Sequence, residues 1–174
     1  FKEFFISGDL MSEGKTELGL PRGTWKWYYE SALLKREIIY GDDGIRTKST
    51  EWGENGNKKY EQNWNGNIQH GKCMYWNKEG KIVKDYNYKN GKLDGNFVDY
   101  YLTGVKRAKG KMKFDMMIGK WTFWYHNNKK EVECDLELGT PTGVAKIWHD
   151  NGTLKQEVQI DPVKKVYDWD SHKI

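Results

Sequence analysis

Polar and apolar residues alternate along this chain in short runs, as in Lys120-Trp121-Thr122-Phe123-Trp124-Tyr125 and Thr153-Leu154-Lys155-Gln156-Glu157-Val158. A period of two sends successive side chains to opposite faces of a pleated strand. Turn pairs stand between the runs, among them Asn55-Gly56, Glu79-Gly80 and Asn151-Gly152, so each pair of runs predicts a β-hairpin. The only stretch with a helical cast, Tyr29 to Ile38, falls in the same phase as strands elsewhere and is read as strand.

The hairpin recurs at a fixed interval. Counting from Gly23 in steps of 24 residues reaches Thr47, Gly71, Gly95, Gly119 and Gly143. Five residues beyond each anchor stand Tyr28, Trp52, Trp76, Tyr100, Trp124 and Trp148. Nine beyond come Ala32, Gly56, Gly80, Gly104, Asn128 and Gly152, most of them residues that accept positive φ. Fourteen beyond come Glu37, Glu61, Asp85, Lys109, Glu133 and Glu157, and seventeen beyond an apolar column, Tyr40, Trp64, Tyr88, Met112, Leu136 and Ile160. A second, looser turn, as in Asp42-Asp43-Gly44 or Asn90-Gly91-Lys92, leads to the next anchor.

A single hairpin buries too little to stand alone, whereas stacked units share a continuous core. The fold expected is therefore all-β: an elongated tandem array of β-hairpins with a 24-residue period, forming one open antiparallel sheet. It occupies 1–174 as a single repeat domain, with a partial repeat 1–22, units 23–46, 47–70, 71–94, 95–118, 119–142 and 143–166, and a C-terminal cap strand 167–174. The aromatic column is expected to bring rings of successive repeats close together.

Composition agrees with an amphipathic sheet. Hydrophobic residues make up only 37% of the chain, yet 9 Trp and 11 Tyr are far too many for a disordered segment. The net charge of +4 is read as a mild excess spread along the chain, too weak to imply nucleic acid. No apolar run is long enough to span a membrane as a helix. Cys73 and Cys134 fall in the third and fifth units, some 20 Å apart at the ordinary strand spacing, so two free thiols are expected and no disulfide. Unpaired thiols favour the cytoplasm, although a chain opening on Phe1 leaves room for a cleaved signal sequence.

The acidic column invites a catalytic reading, but a residue repeated in nearly every unit serves something every unit needs, such as pairing with a nearby lysine. His70, His126, His149 and His172 sit at different phases without metal-ligand spacing, so neither a metal nor another cofactor is expected. Nothing asymmetric and titratable stands out as an active site, and no enzyme activity is expected. Specificity should lie where the frame stays fixed and the occupant changes. Those positions follow the anchors by four and six residues, and from them the candidate partner-binding residues are Trp27, Tyr29, Tyr75, Tyr101, Phe123 and Tyr125.

The segments "GKCMYWNKEGKIVKDYNYKNGKLDG" from Gly71 to Gly95 and "GKWTFWY" from Gly119 to Tyr125 resemble the MORN-variant repeat. The resemblance covers essentially the whole chain. It implies a non-catalytic scaffold that holds another protein, and it is similar to bacterial repeat proteins that serve as antitoxins or immunity proteins by occluding a toxin. A module on an acidic membrane surface and a carbohydrate-binding module are the alternatives. The protein is expected as a monomer or as a dimer paired through its edges, residues 1–6 and 167–174.

Overall fold

The computed structural model describes residues 1–160. Fourteen antiparallel strands form one sheet whose spatial order is the order of the chain. They are β1 (Lys2–Phe4), β2 (Leu10–Glu17), β3 (Leu20–Tyr28), β4 (Leu34–Tyr40), β5 (Arg46–Trp52), β6 (Lys58–Asn65) and β7 (Ile68–Trp76), followed by β8 (Ile82–Lys89), β9 (Lys92–Tyr100), β10 (Lys106–Lys113), β11 (Met116–Trp124), β12 (Lys130–Glu137), β13 (Thr140–Trp148) and β14 (Leu154–Ile160). All-β tandem hairpins in an open sheet are thus what the chain forms. The expected cap strand 167–174, with its edge, lies outside the described residues; at the other end β1 is the outermost strand.

The turn nine residues past each anchor is the same throughout. In the unit 47–70 the Gly53 N–H donates to Asn57 O at 2.8 Å and the Gly56 N–H to Gly53 O at 2.9 Å. This three-residue loop needs a left-handed residue at its end. Ala32, Gly56, Gly80, Gly104, Asn128 and Gly152 all supply it, with φ between 61° and 88°. The stretch from Tyr29 to Leu33 is accordingly turn, and strand resumes at Leu34.

The anchor glycines sit somewhere other than the repeat pattern suggests. They lie inside strands, at bulges, not at the strand starts. Cys134 of β12 has no direct partner on β13, because Lys146 pairs with Glu133 while Thr142 already pairs with Asp135. The surplus of β13 is accommodated at Gly143, with φ 67°. A bulge adds residues to one strand and turns the chain locally. Where Thr47 replaces the anchor glycine, the surplus is a single residue and the preceding connection, 41–45, is longer. The period of 24 survives because one change offsets the other.

The bulges also set which side chains share a face. On face A, residues two past the anchor line up across the sheet with residues fifteen past it: Trp25, Ile38, Ser49, Gln62, Cys73, Tyr86, Phe97 and Gly110, then Trp121 with Cys134 and Ala145 with Val158. The core lies here. Its main apolar cluster, Ala108, Met112, Trp121, Cys134, Leu136 and Ala145, belongs to β10–β13. Cys73 and Cys134 are both free and buried, on β7 and β12. Burial pushes both thiols up, Cys134 to about 11 with the nearby Asp135 and Glu133 adding to it, so both stay protonated and inert at neutral pH.

Face B carries the acidic and aromatic columns. Four of the carboxylates that the repeat supplies there are tied to lysine: Glu61 to Lys48 and Lys58, Asp85 to Lys72, Glu133 to Lys120 and Lys130, Glu157 to Lys146. The column aromatics make no ring contacts with one another among the described residues, contrary to expectation. They stand two strands apart, about 10 Å at ordinary spacing, beyond ring contact. A lysine bridges the gap instead: Lys58 lies 5.5 Å from the Trp76 ring and Lys130 lies 5.4 Å from that of Trp148. The longest run of ring-to-ring contacts crosses face A, Tyr75 to Tyr86 to Phe97 to Trp121 to Phe123.

Candidate functional site

The residues four past each anchor and thirteen past it pair across face A in one transverse row. It runs Trp27, Arg36, Glu51, Tyr60, Tyr75, Lys84, Asp99, Ala108, Phe123, Val132, Ile147. From β10 onward the row is apolar and continues the core. From β3 to β9 it is aromatic and charged, and every one of its members there except Asp99 keeps some exposure.

Two acidic nodes organise this stretch. Glu51 accepts from Arg36 at 2.9 Å, from the Tyr60 hydroxyl at 2.7 Å and from Lys59 at 3.3 Å. Burial alone would discourage its charge, but the hydrogen bonds from Tyr60, Arg36 and Lys59 outweigh that and hold its carboxyl below the usual carboxylate range. Asp99 is buried and receives the Arg107 guanidinium and the Tyr86 hydroxyl, the latter at 3.0 Å. Burial and the neighbouring Asp99 carboxylate together push the Tyr86 phenol well above its ordinary value. Between the nodes, the Tyr75 hydroxyl accepts from Gln62 at 2.8 Å and Gln69 at 3.2 Å, and Arg46 stacks 3.7 Å over the Trp64 ring. The two carboxylates are held by neighbouring cations and hydroxyls, which fixes their geometry, while Lys84 lies 5.7 Å from the Tyr75 ring and 5.9 Å from that of Tyr86.

The six candidate residues fall into two sets. Trp27, Tyr75 and Phe123 belong to the transverse row on face A. Tyr29, Tyr101 and Tyr125 lie past the strand ends, where each hydroxyl donates to the carbonyl of the column aromatic in the next unit: Tyr29 to Trp52, Tyr101 to Trp124 and Tyr125 to Trp148, at 2.7–2.8 Å. All six are half-buried. The sequence reading did not single out the second-strand partners Arg36, Tyr60 and Lys84. The signal was present in the variation thirteen residues past each anchor, but only the register shows that this position faces the one four past it. No group of three or more His, Cys, Asp or Glu is placed to hold a metal ion among the described residues.

Two stretches of the chain, residues 69–90 and 141–161, match the family model of the MORN repeat variant. The chain carries MORN-variant repeats. The first match takes in nearly all of β7 and β8 with the turn between them, and the second covers β13 and β14 likewise, so one MORN-variant repeat is one hairpin. No curated protein matches the chain.

Proposed function

We propose that the protein is a non-catalytic scaffold whose face A holds another protein along the transverse row from Trp27 to Asp99. The observation that carries this is the half-exposed line Trp27, Arg36, Glu51, Tyr60, Tyr75, Lys84, which no second layer of secondary structure covers among the described residues. Aromatic rings and an arginine held rigidly by neighbours are the groups on which binding energy concentrates. The pairing of Glu51 with Arg36 and Lys59, and of Asp99 with Arg107, supports binding over chemistry. In its specific form, the scaffold acts as an antitoxin or immunity partner that occludes a toxin by covering it.

The test is capture from the protein's own cell lysate at low and at high salt, repeated with Trp27→Ala and Tyr75→Ala. One stoichiometric protein that survives high salt with the parent, and is lost with the variants, bears the reading out. Capture of lipid alone, abolished by salt, would overturn it in favour of a membrane surface. Saturable quenching of tryptophan by oligosaccharides, with no protein captured, would overturn it in favour of carbohydrate binding.

A further inference from the structure

The acidic column of face B is interrupted once, at Lys109. Strand β10 reads Lys-Arg-Ala-Lys-Gly-Lys-Met-Lys, with five cations and no acid in eight residues. The excess charge read as spread along the chain is therefore locally concentrated. Ala108 and Met112 point into face A and are buried, while Lys109, Lys111 and Lys113 alternate with them and are exposed. Arg107 is committed to Asp99. Elsewhere in the column Glu61, Asp85, Glu133 and Glu157 each hold a lysine, but Lys109, Lys111 and Lys113 form no ion pair among the described residues.

The width of this cationic strip limits what it can receive. In the row that contains Lys109, the order is Asp85, Val98, Lys109, Thr122, Glu133. Carboxylates thus stand two strands to either side, about 10 Å away in each direction. Asp85 and Glu133 are each held by lysine, so the cations without a carboxylate partner are confined to the width of one strand. A single extended chain fits that width. Along the strip, side chains on alternate residues repeat at about 6.8 Å, the repeat of alternate residues in any extended peptide.

We propose that face B over β10 is a docking lane for an extended acidic segment of a partner protein, with carboxylates at alternate residues meeting Lys109, Lys111 and Lys113. The lane lies on the opposite face from the Trp27–Asp99 row and stands whether or not that row binds.

The experiment is fluorescence anisotropy at low ionic strength with the full chain and a labelled Glu-Thr-Glu-Thr-Glu-Thr-Glu peptide. K109Q/K111Q/K113Q should weaken binding by about tenfold, the sum of three exposed charge pairs, and each single variant by about twofold. K78Q/K89Q/K155Q, the same charge change elsewhere, should alter it by less than about twofold. A peptide of the same composition with its glutamates in one block should bind more weakly than the alternating one. Unchanged affinity in the strip variants would overturn the proposal. So would failure to bind the peptide while oligothymidylate or phosphatidylserine vesicles bind and lose binding in the strip variants, which would assign the lane to nucleic acid or lipid.

Discussion

The indole of Trp121 occupies the space above Gly110: a Cβ built on that glycine would lie 2.3 Å from the ring. Trp25 stands over Gly14 in the same way, at 2.1 Å. A large residue on one strand and none on its neighbour is how this single-layer face buries a tryptophan completely. Gly110→Ala should therefore destabilise the protein by about 1–3 kcal/mol through overpacking, and Trp121→Ala by about 3–5 kcal/mol. In the double variant the alanine at 110 should cost little, because its clash partner is gone. Urea denaturation of the four proteins checks this, and additive losses would contradict it.

The tyrosines that follow the column aromatics should separate from those of the transverse row. Tyr101→Phe keeps the ring stacked 3.6 Å from His126 but removes the hydrogen bond to Trp124 O. It should lower stability by about 1 kcal/mol and leave partner capture unchanged. Tyr75→Ala should weaken capture more than tenfold, a loss of about 2 kcal/mol of the kind central aromatic anchors give. Equal effects of the two on capture would contradict the division.

The connection between β10 and β11 places Phe114 and Asp115 both in the left-handed region, at φ 50° and 68°. A side chain there is strained, and Phe114 is exposed as well. Asp115 gains something in return, since its Oδ1 accepts from the Leu93 N–H at 2.7 Å. Phe114 gains no such bond. Phe114→Asn should raise stability by about 0.5–1 kcal/mol, seen as an increase in Tm.

Acid should weaken the sheet through its lysine-held carboxylates. The hydrogen bond from Lys58, opposed by partial burial and reinforced by Lys48, holds Glu61 below its ordinary value of 4.5, and Lys130 and Lys120 do the same for Glu133. A carboxyl depressed in the folded state contributes its stability fully above the ordinary value and loses it as pH falls through the folded value. Tm should therefore change little from these groups between neutral pH and about pH 5, then fall below about pH 4.5. K58Q/K130Q should be less stable at neutral pH by under about 1 kcal/mol per pair and less sensitive to acid.

The hairpins were legible because turn chemistry is local. The left-handed requirement nine residues past each anchor shows in Gly56 and Gly152 directly, and Ala32 and Asn128 keep it by phase. The bulges were not legible as bulges, because a glycine in an alternating run reads equally as a strand start. Nor could the roles of Tyr29, Tyr101 and Tyr125 be read, since each hydrogen-bond acceptor lies 23 residues further along the chain. The transverse row needs the register of adjacent strands, which the bulges shift. Lys109 was visible as a break in the acidic column, but its meaning depended on Lys111 and Lys113 sharing its face.

Since spatial and chain order coincide from β1 to β14, no strand waits for a distant one before it can pair. Such a molecule can begin folding at any hairpin and grow outward, and under load from one terminus it should come apart like a zipper, strand after strand, rather than in a single rupture. Its length is also adjustable: removing or duplicating one interior unit of 24 residues keeps the neighbouring registers intact and changes only the distance between what lies on either side.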